Sequence, residues 1–174
     1  MDDRTRDTLG AAASHYARGG YPVLPLWPGT KIPRVIRGFL EASTDLETVA
    51  EHWHKHPRDN IGLRPAEGQF VLDVDTRYDG HASLADRVIQ LGPLPQNAPV
   101  ARTPTHGLHI WLLHELGGKL AGSIGPGIDV KGHNGYLVVP PSVIEVRVDW
   151  DHKLLLPRGR HHYTWRVPLP GVTL

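Results

Sequence analysis

Two carboxylates one residue apart close an apolar run, Phe70-Val71-Leu72-Asp73-Val74-Asp75. On a strand the side chains alternate faces with period two, so Asp73 and Asp75 point the same way where strand gives way to loop. Like charges held that close repel. A hard divalent cation such as Mg²⁺ relieves the repulsion and keeps coordination positions open for substrate phosphates. A bare Asp-x-Asp is also what a turn cap with a surface neighbour looks like, because Asp is a common turn residue. The remaining residues decide between the two.

A second group is Thr103-Pro104-Thr105-His106-Gly107-Leu108-His109-Ile110-Trp111. Proline and glycine make a tight turn, after which alternation puts His109 and Trp111 on one strand face. A turn with free backbone N–H groups beside a hydrogen-bonding histidine suits an anionic phosphate. A hairpin with a half-buried histidine has the same pattern, and His106 reads as a turn residue. A third group is Gly127-Ile128-Asp129-Val130-Lys131-Gly132. Asp is disfavoured within a strand, so Asp129 needs a reason. A metal shared with Asp73 and Asp75 is one, and an edge strand with Asp129 paired to Lys131 is another. Lys131 lies on the same face and could instead meet a phosphate. In Gly135-Tyr136-Leu137-Val138-Val139-Pro140-Pro141-Ser142 the prolines fix an extended exit from a buried strand and present Ser142 at its end.

Elements must hold these groups in place. Leu9, Ala12, Ala13, Tyr16 and Ala17 recur at helical spacing and Gly19-Gly20 supplies a left-handed stop. Val23–Leu26 reads as a short buried strand, followed by a proline-punctuated loop that carries Lys31. Thr44-Asp45-Leu46-Glu47 has the form of a capping box, and Leu46, Val49, Ala50 and Trp53 continue a second helix to about His56-Pro57. In His52-Trp53-His54-Lys55-His56 only the outer histidines share a helix face; that end is either exposed, with cationic histidine against the helix dipole, or a zinc site. Asn60–Leu63 and Phe70–Val74 are strands at hairpin-like spacing. A helix with Leu84, Val88 and Leu91 on one face follows Gly80. Further strands are predicted over 100–103, 108–113, 128–130, 136–139, 143–148 and 163–167. Helices early, then strands with one helix inserted and no regular βαβ alternation, give an α+β domain on a largely antiparallel or mixed sheet.

Composition narrows the partners. With 174 residues, 40% of them hydrophobic, the chain is long enough to bury a core as one domain. Cysteine is absent, which removes disulfides, thiol catalysis and cysteine zinc sites and points to an intracellular, cytoplasmic setting. No apolar run approaches the roughly 20 residues of a membrane span, and the acidic start Met1-Asp2-Asp3 is unlike a signal peptide, so no membrane partner is expected. Net charge is only +1, so a nucleic-acid partner must be held by a local patch. Arg147 to Arg166 carries five Lys or Arg against two Asp and reads equally as a basic patch and as a solvated tail.

In this order, the segments resemble the bifunctional DNA primase/polymerase (prim-pol) family of the archaeo-eukaryotic primase superfamily. The matching residues are Ala17 to Leu26 with Lys31-Ile32-Pro33, Ala42-Ser43-Thr44-Asp45, Asn60-Ile61-Gly62-Leu63, Val71 to Asp75, Thr103 to Trp111, Ile128 to Gly132 and Pro140-Pro141-Ser142. The resemblance implies one catalytic domain over 1–174 with core motifs in 17–142, built as an RRM-like catalytic sheet with an N-terminal α/β unit. It makes Asp73, Asp75 and Asp129 the catalytic trio that holds two divalent cations, Mg²⁺ or Mn²⁺. It gives His109 the triphosphate of the incoming nucleotide, sets Thr105 and Gly107 in the phosphate-facing turn, and puts Lys31, Asn60, Gly62, Lys131 and Ser142 near the nucleotide. The family pattern is Ser-Gly-Gly-x-His, so His106 stands where the family has a glycine. The implied activity is template-dependent primer synthesis or extension in plasmid, phage or prophage replication, in a bacterial or archaeal host. Its partners would be single-stranded DNA template and primer, NTP or dNTP, and a replicative helicase. Arg34, Arg37, Trp27 and Tyr78 are candidate template contacts. Two other classes use the same residues: a non-catalytic single-stranded DNA-binding or origin-recognition module, and a metal-dependent phosphodiesterase.

Overall fold

The computed structural model describes residues 4–114 and 120–171; Met1 to Asp3 lie outside the described residues. The elements run α1 (Arg4–Arg18), β1 (Val23–Leu26), α2 (Leu46–Lys55), β2 (Asn60–Leu63), β3 (Gln69–Val74), α3 (Gly80–Leu91), β4 (Val100–Arg102), β5 (Leu108–Leu113), β6 (Ser123–Gly125), β7 (Ile128–Lys131), β8 (Leu137–Val138), β9 (Val143–Asp151), β10 (Leu156–His162) and β11 (Thr164–Val167). This is a mixed α/β architecture with few helices and antiparallel sheets. A six-stranded sheet has the order β11-β4-β5-β3-β7-β6, a three-stranded sheet the order β1-β2-β8, and β9 with β10 forms a separate two-stranded arm. No helix among the described residues is long and apolar enough to cross a membrane.

Helix α1 buries the stripe its spacing predicts: Leu9, Ala12, Ala13, Tyr16 and Ala17 pack with Val49 and Trp53 of α2 on Val23, Ile61 and Leu63. The same cluster takes in Val71 and Trp111 of the larger sheet, so it joins the two sheets. Tyr16 is its polar rivet. Its hydroxyl donates to the Pro140 carbonyl at 2.6 Å and accepts from Trp165 Nε1 at 2.8 Å. Burial pushes the phenol far above its ordinary pKa, so the hydroxyl stays protonated and keeps donating.

The larger sheet alternates cleanly. Leu72, Val74, Ile110 and Ile128 face a core completed by Leu84 of α3, whereas Val71, Asp73, His109, Trp111, Asp129 and Lys131 occupy the opposite face by period two. Leu84 packs, but Leu91, expected on the same stripe, is 79% exposed.

Four expectations change. Strands β2 and β3 do not form a hairpin: β2 pairs β1 and β8, while β3 pairs β5 and β7 in the other sheet. The cap of α2 is Asp45 rather than Thr44, because extended Asp45 presents Oδ1 to the Thr48 N–H at 2.8 Å. The strand expected over 136–139 shrinks to Leu137–Val138. Residues 147–162 are no solvated tail but belong to the β9–β10 arm, which buries Ile144 and Val146 near its base and Leu156 beside its turn against Leu24, Leu26 and Val138.

Candidate active site

Register sets the centre of the site. Asp73 on β3 stands opposite His109 on β5 and opposite Asp129 on β7, so three side chains form one row across three strands. Directly opposed residues in antiparallel pairs bring their Cβ atoms to about 5 Å. One step inward on the same face, Val71 stands opposite Trp111 and Lys131. The row therefore sits where the face turns from buried apolar packing to solvent. β7 is not an edge strand, since β6 covers it.

Asp75 is fixed from three directions. Its N–H donates to the Gly127 carbonyl at 2.7 Å, and its carbonyl accepts from the Gly80 N–H at 3.0 Å. Its carboxylate takes the Arg77 guanidinium on both oxygens, Nε lying 2.9 Å from Oδ1 and 3.0 Å from Oδ2 with Nη2 also on Oδ2. Arg77 holds that carboxyl below the ordinary carboxylate range, chiefly by this side-chain hydrogen bonding and against the opposing effect of partial burial. Arg77 is the member of the site that sequence reasoning missed; the spacing Asp75-Thr76-Arg77 was its signal.

The other carboxylates also have basic partners. Lys131 Nζ donates to Asp129 Oδ2 at 2.9 Å, and His109 Nε2 lies 3.5 Å from Asp73 Oδ1. Burial drives the His109 pKa down, with Asp73 pulling it up and Lys31 opposing Asp73. Burial thus favours the neutral imidazole, and its 3.5 Å approach to Asp73 is a polar contact rather than an ion pair. The Val138 backbone also favours the charged form, yet His109 Nδ1 is buried without a hydrogen-bond partner. Tyr163 covers the ring, with centroids 5.9 Å apart.

Mutual repulsion between carboxylates, the sequence-level argument for a metal, is therefore answered at Asp75 and Asp129 by cations from the chain itself, Arg77 and Lys131. Among the described residues no three His, Asp or Glu side chains are grouped to hold an ion as they stand. The donor set nevertheless fits Mg²⁺ or Mn²⁺: three carboxylates on one side of one sheet, all hard oxygen, with Asp73 34% and Asp129 57% exposed.

The residues of the glycine turn at 103–107 lie beside this row. A Cβ on Gly107 would lie 2.3 Å from the Val74 carbonyl oxygen, so only glycine lets the turn pass that close to β3. Thr105 is tied in through its carbonyl, which accepts from Thr76 Oγ1 at 2.6 Å, and through Oγ1, 3.2 Å from Thr103 Oγ1. His106 takes φ +65°, a left-handed conformation that favours glycine, which accounts for the glycine in the family pattern. Its Nδ1 accepts from Arg102 Nη2 at 2.7 Å, an added tie that glycine lacks. A hollow of about 480 Å³ lies between Thr76, Arg77, Thr105 and His106 and the arm tip. A larger one of about 960 Å³ lies between Trp27, Thr30 and the arm residues Arg147 and Arg160, and Asp73, Asp75 and Asp129 line neither hollow.

Lys31 belongs to the site. Its pKa is lowered, first by desolvation, with Asp73 and Asp75 pulling the other way and Arg77 adding to the drop. Solvent still reaches its side chain, as at the wall of a cleft, and its carbonyl is held by the Tyr136 hydroxyl at 2.8 Å. Asn60, Gly62 and Ser142 lie behind the site. Asn60 Nδ2 donates to the carbonyls of Thr30 at 2.8 Å and Val143 at 2.6 Å, and Oδ1 accepts from the Val143 N–H at 3.1 Å. Ser142 Oγ is buried and bonds both polar groups of the Ile61 backbone. Gly62 makes room for Tyr136, whose ring would be 3.2 Å from an added Cβ. Asn60→Ala is accordingly expected to cost about 2–3 kcal/mol in urea unfolding without nucleotide, because buried groups of Thr30 and Val143 lose their partner. An unchanged midpoint would refute the scaffold role.

The candidate template contacts are partly spoken for. Arg34 stacks on Trp27 at 3.9 Å and binds buried Asp59, which His52 Nε2 also meets at 2.8 Å. Arg34 Nη2 contacts His56 Nδ1 at 3.1 Å, so the two outer histidines belong to a network around Asp59 rather than to a zinc cluster. The Arg37 backbone N–H donates to Glu41 Oε1 at 2.7 Å, and Tyr78 is exposed.

This is an α/β protein whose antiparallel sheet presents acidic residues, a histidine and a tight glycine turn along one side. The family model for bifunctional DNA primase/polymerase, N-terminal, matches residues 13–171, and the chain belongs to that family. Membership points to DNA primase/polymerase activity and to DNA and nucleotides as substrates. No curated protein is significantly similar to the chain.

Proposed function

We propose that this protein is a template-dependent nucleotidyltransferase that makes or extends primers on single-stranded DNA, taking NTP or dNTP, in plasmid, phage or prophage replication. The observation that carries the reading is the register: Asp73 has His109 on one side and Asp129 on the other, with Asp75 following at the strand end. Six-stranded order supports an RRM-like catalytic sheet, since β7-β3-β5-β4 are neighbours and α3 connects β3 to β4. We read 1–174 as one catalytic domain and a replicative helicase as its working partner.

Asp73, Asp75 and Asp129 would hold two divalent cations, Mg²⁺ or Mn²⁺. Bound there, the cations supply acidification of the primer 3'-hydroxyl and charge neutralisation of the departing pyrophosphate. Lys31 and Lys131 add fixed positive charge for the triphosphate. Neutral His109 donates a hydrogen bond without bringing a buried charge, and that donation strengthens as negative charge develops on phosphate. The turn from Thr103 to Gly107 brings the chain against β3 beside the same row, a geometry suited to phosphate oxygens. No side chain need act as covalent nucleophile.

The test is primer synthesis and extension on a single-stranded template, with Mg²⁺ or Mn²⁺ and all four nucleotides of each sugar type. Incorporation that requires both metal and template is the expected result. Single-stranded DNA binding with no incorporation under either metal would replace it with the non-catalytic module. Release of short products from DNA without added nucleotides would replace it with the phosphodiesterase.

A further inference from the structure

We propose that Arg77 is a built-in counter-cation for Asp75 and, through the same guanidinium, the latch of the β9–β10 arm, so that a divalent cation binding at Asp75 frees the arm tip. The inference rests on the metal-binding reading of the carboxylates and adds how the chain controls access to them.

The guanidinium does two jobs at once. Nε and Nη2 occupy both oxygens of Asp75, while Nη1 donates to the Lys153 carbonyl at the arm tip. The tip is pre-formed to receive it. Asp151 Oδ1 accepts from the N–H groups of Lys153 and Leu154, each at 2.8 Å, which fixes the turn that presents the Lys153 carbonyl. The arm's own strands pair only with each other; Leu156 anchors the start of β10 in the core, and in the turn before it Arg77 ties the Lys153 carbonyl to the loop that follows β3. Leu154, Leu155 and Leu156 close one side of the hollow whose other side is Arg77, Thr105 and His106.

With the guanidinium fork on both oxygens and the Arg77 backbone N–H on Oδ1 at 2.9 Å, most of the four lone-pair directions of the Asp75 carboxylate are filled, and a hard cation needs some of the same ones. Metal and Arg77 therefore compete for Asp75. Once a divalent charge is there, it also repels the guanidinium at close range. The fork and the Lys153 bond depend on one orientation of one side chain, so losing the first loses the second. By linkage the coupling runs both ways: whatever breaks the latch tightens metal binding, and metal loosens the arm.

Mn²⁺ titration followed by electron paramagnetic resonance, with hydrogen exchange over residues 151–156, tests this without reference to turnover. Arg77→Ala is expected to bind Mn²⁺ about 5-fold tighter or more, and to show fast arm exchange that Mn²⁺ no longer changes. In the wild type Mn²⁺ should raise arm exchange. Arg77→Lys keeps the charge but loses the fork, and should also show a released arm. Lys131→Ala, which removes an equal charge beside Asp129, should leave the arm's response to Mn²⁺ intact. Equal or weaker Mn²⁺ binding by Arg77→Ala, or wild-type arm exchange indifferent to Mn²⁺, overturns the latch alone. If neither wild type nor Arg77→Ala binds Mn²⁺ at millimolar concentration, the metal-binding reading falls and the latch with it.

Discussion

Asp73→Asn is expected to cut nucleotide incorporation by about 10³-fold or more while leaving the urea midpoint near wild type. The rate effect follows from charge. Amide oxygen replaces a carboxylate at the centre of the row, and losing about 4 kcal/mol of metal-dependent stabilisation corresponds to roughly three powers of ten. The stability side follows from the local contacts. Asp73 is 34% exposed, and its neighbour across the strand pair is an imidazole that burial keeps neutral, so the substitution strands no buried cation. Steady-state extension with a labelled primer gives the rate, and equilibrium unfolding gives the midpoint. The same pair of measurements on Asp129→Asn should show the same split, since Asp129 is still more exposed. Incorporation by Asp73→Asn at the wild-type rate would remove the carboxylate row from the mechanism. A fall in rate with an equal collapse of the midpoint would show that Asp73 holds the fold instead.

The row itself was legible in the sequence because strand alternation is local. Asp73 at the end of Phe70–Val74, His109 at the start of an apolar run and Asp129 between Ile128 and Val130 each announce a strand face, and the observed register aligns the three. Helix α1 was legible for the same reason, its apolar stripe being complete within one segment. Pairing was not. Asn60–Leu63 and Phe70–Val74 are separated by a hairpin's length of chain, yet all four residues of β2 are buried between β1 and β8; the choice of partner depends on what else needs covering. Strand β10, with Pro157 and Gly159, falls between the strands expected over 143–148 and 163–167, and it pairs with β9 by placing a register shift between those two residues. At the site, a cationic partner two residues away was weighed for Asp129, in Lys131, but not for Asp75, where Arg77 stands at the same spacing. Asn60 and Ser142 show the converse difficulty. A polar side chain at a strand end can face a ligand or close a backbone gap, and only burial and partners distinguish the two.

Gly127→Ala should be among the most damaging single changes in the chain, destabilising it by about 3–5 kcal/mol. Two costs add. Gly127 has φ +64°, a conformation that costs an L-residue about 1–2 kcal/mol. An added Cβ would also meet the Tyr78 carbonyl oxygen at 2.5 Å, the Gly80 nitrogen at 2.7 Å and the Asp75 carbonyl oxygen at 2.8 Å. All three are backbone atoms that cannot swing away, so relief means moving whole segments, at roughly 1–3 kcal/mol or more. Those segments are the functional ones. Gly127 accepts the Asp75 N–H, and Gly80, where a Cβ would lie 2.6 Å from both the Asp75 and Gly127 carbonyl oxygens, donates to the Asp75 carbonyl. Pushing them apart displaces Asp75 from the end of β3 and from Arg77. Gly125→Ala is the control: it lies in the same turn, its φ is not positive and its nearest contact would be 3.6 Å, from Ser83 Cβ. It should unfold within about 1 kcal/mol of wild type. Urea titrations of the two variants decide the matter. For a chain of this length the Gly127→Ala loss also corresponds to a fall of roughly 10 °C in Tm. Equal midpoints for the two variants would mean that the loops around Asp75 do not meet at Gly127, and that another contact fixes this carboxylate against the sheet.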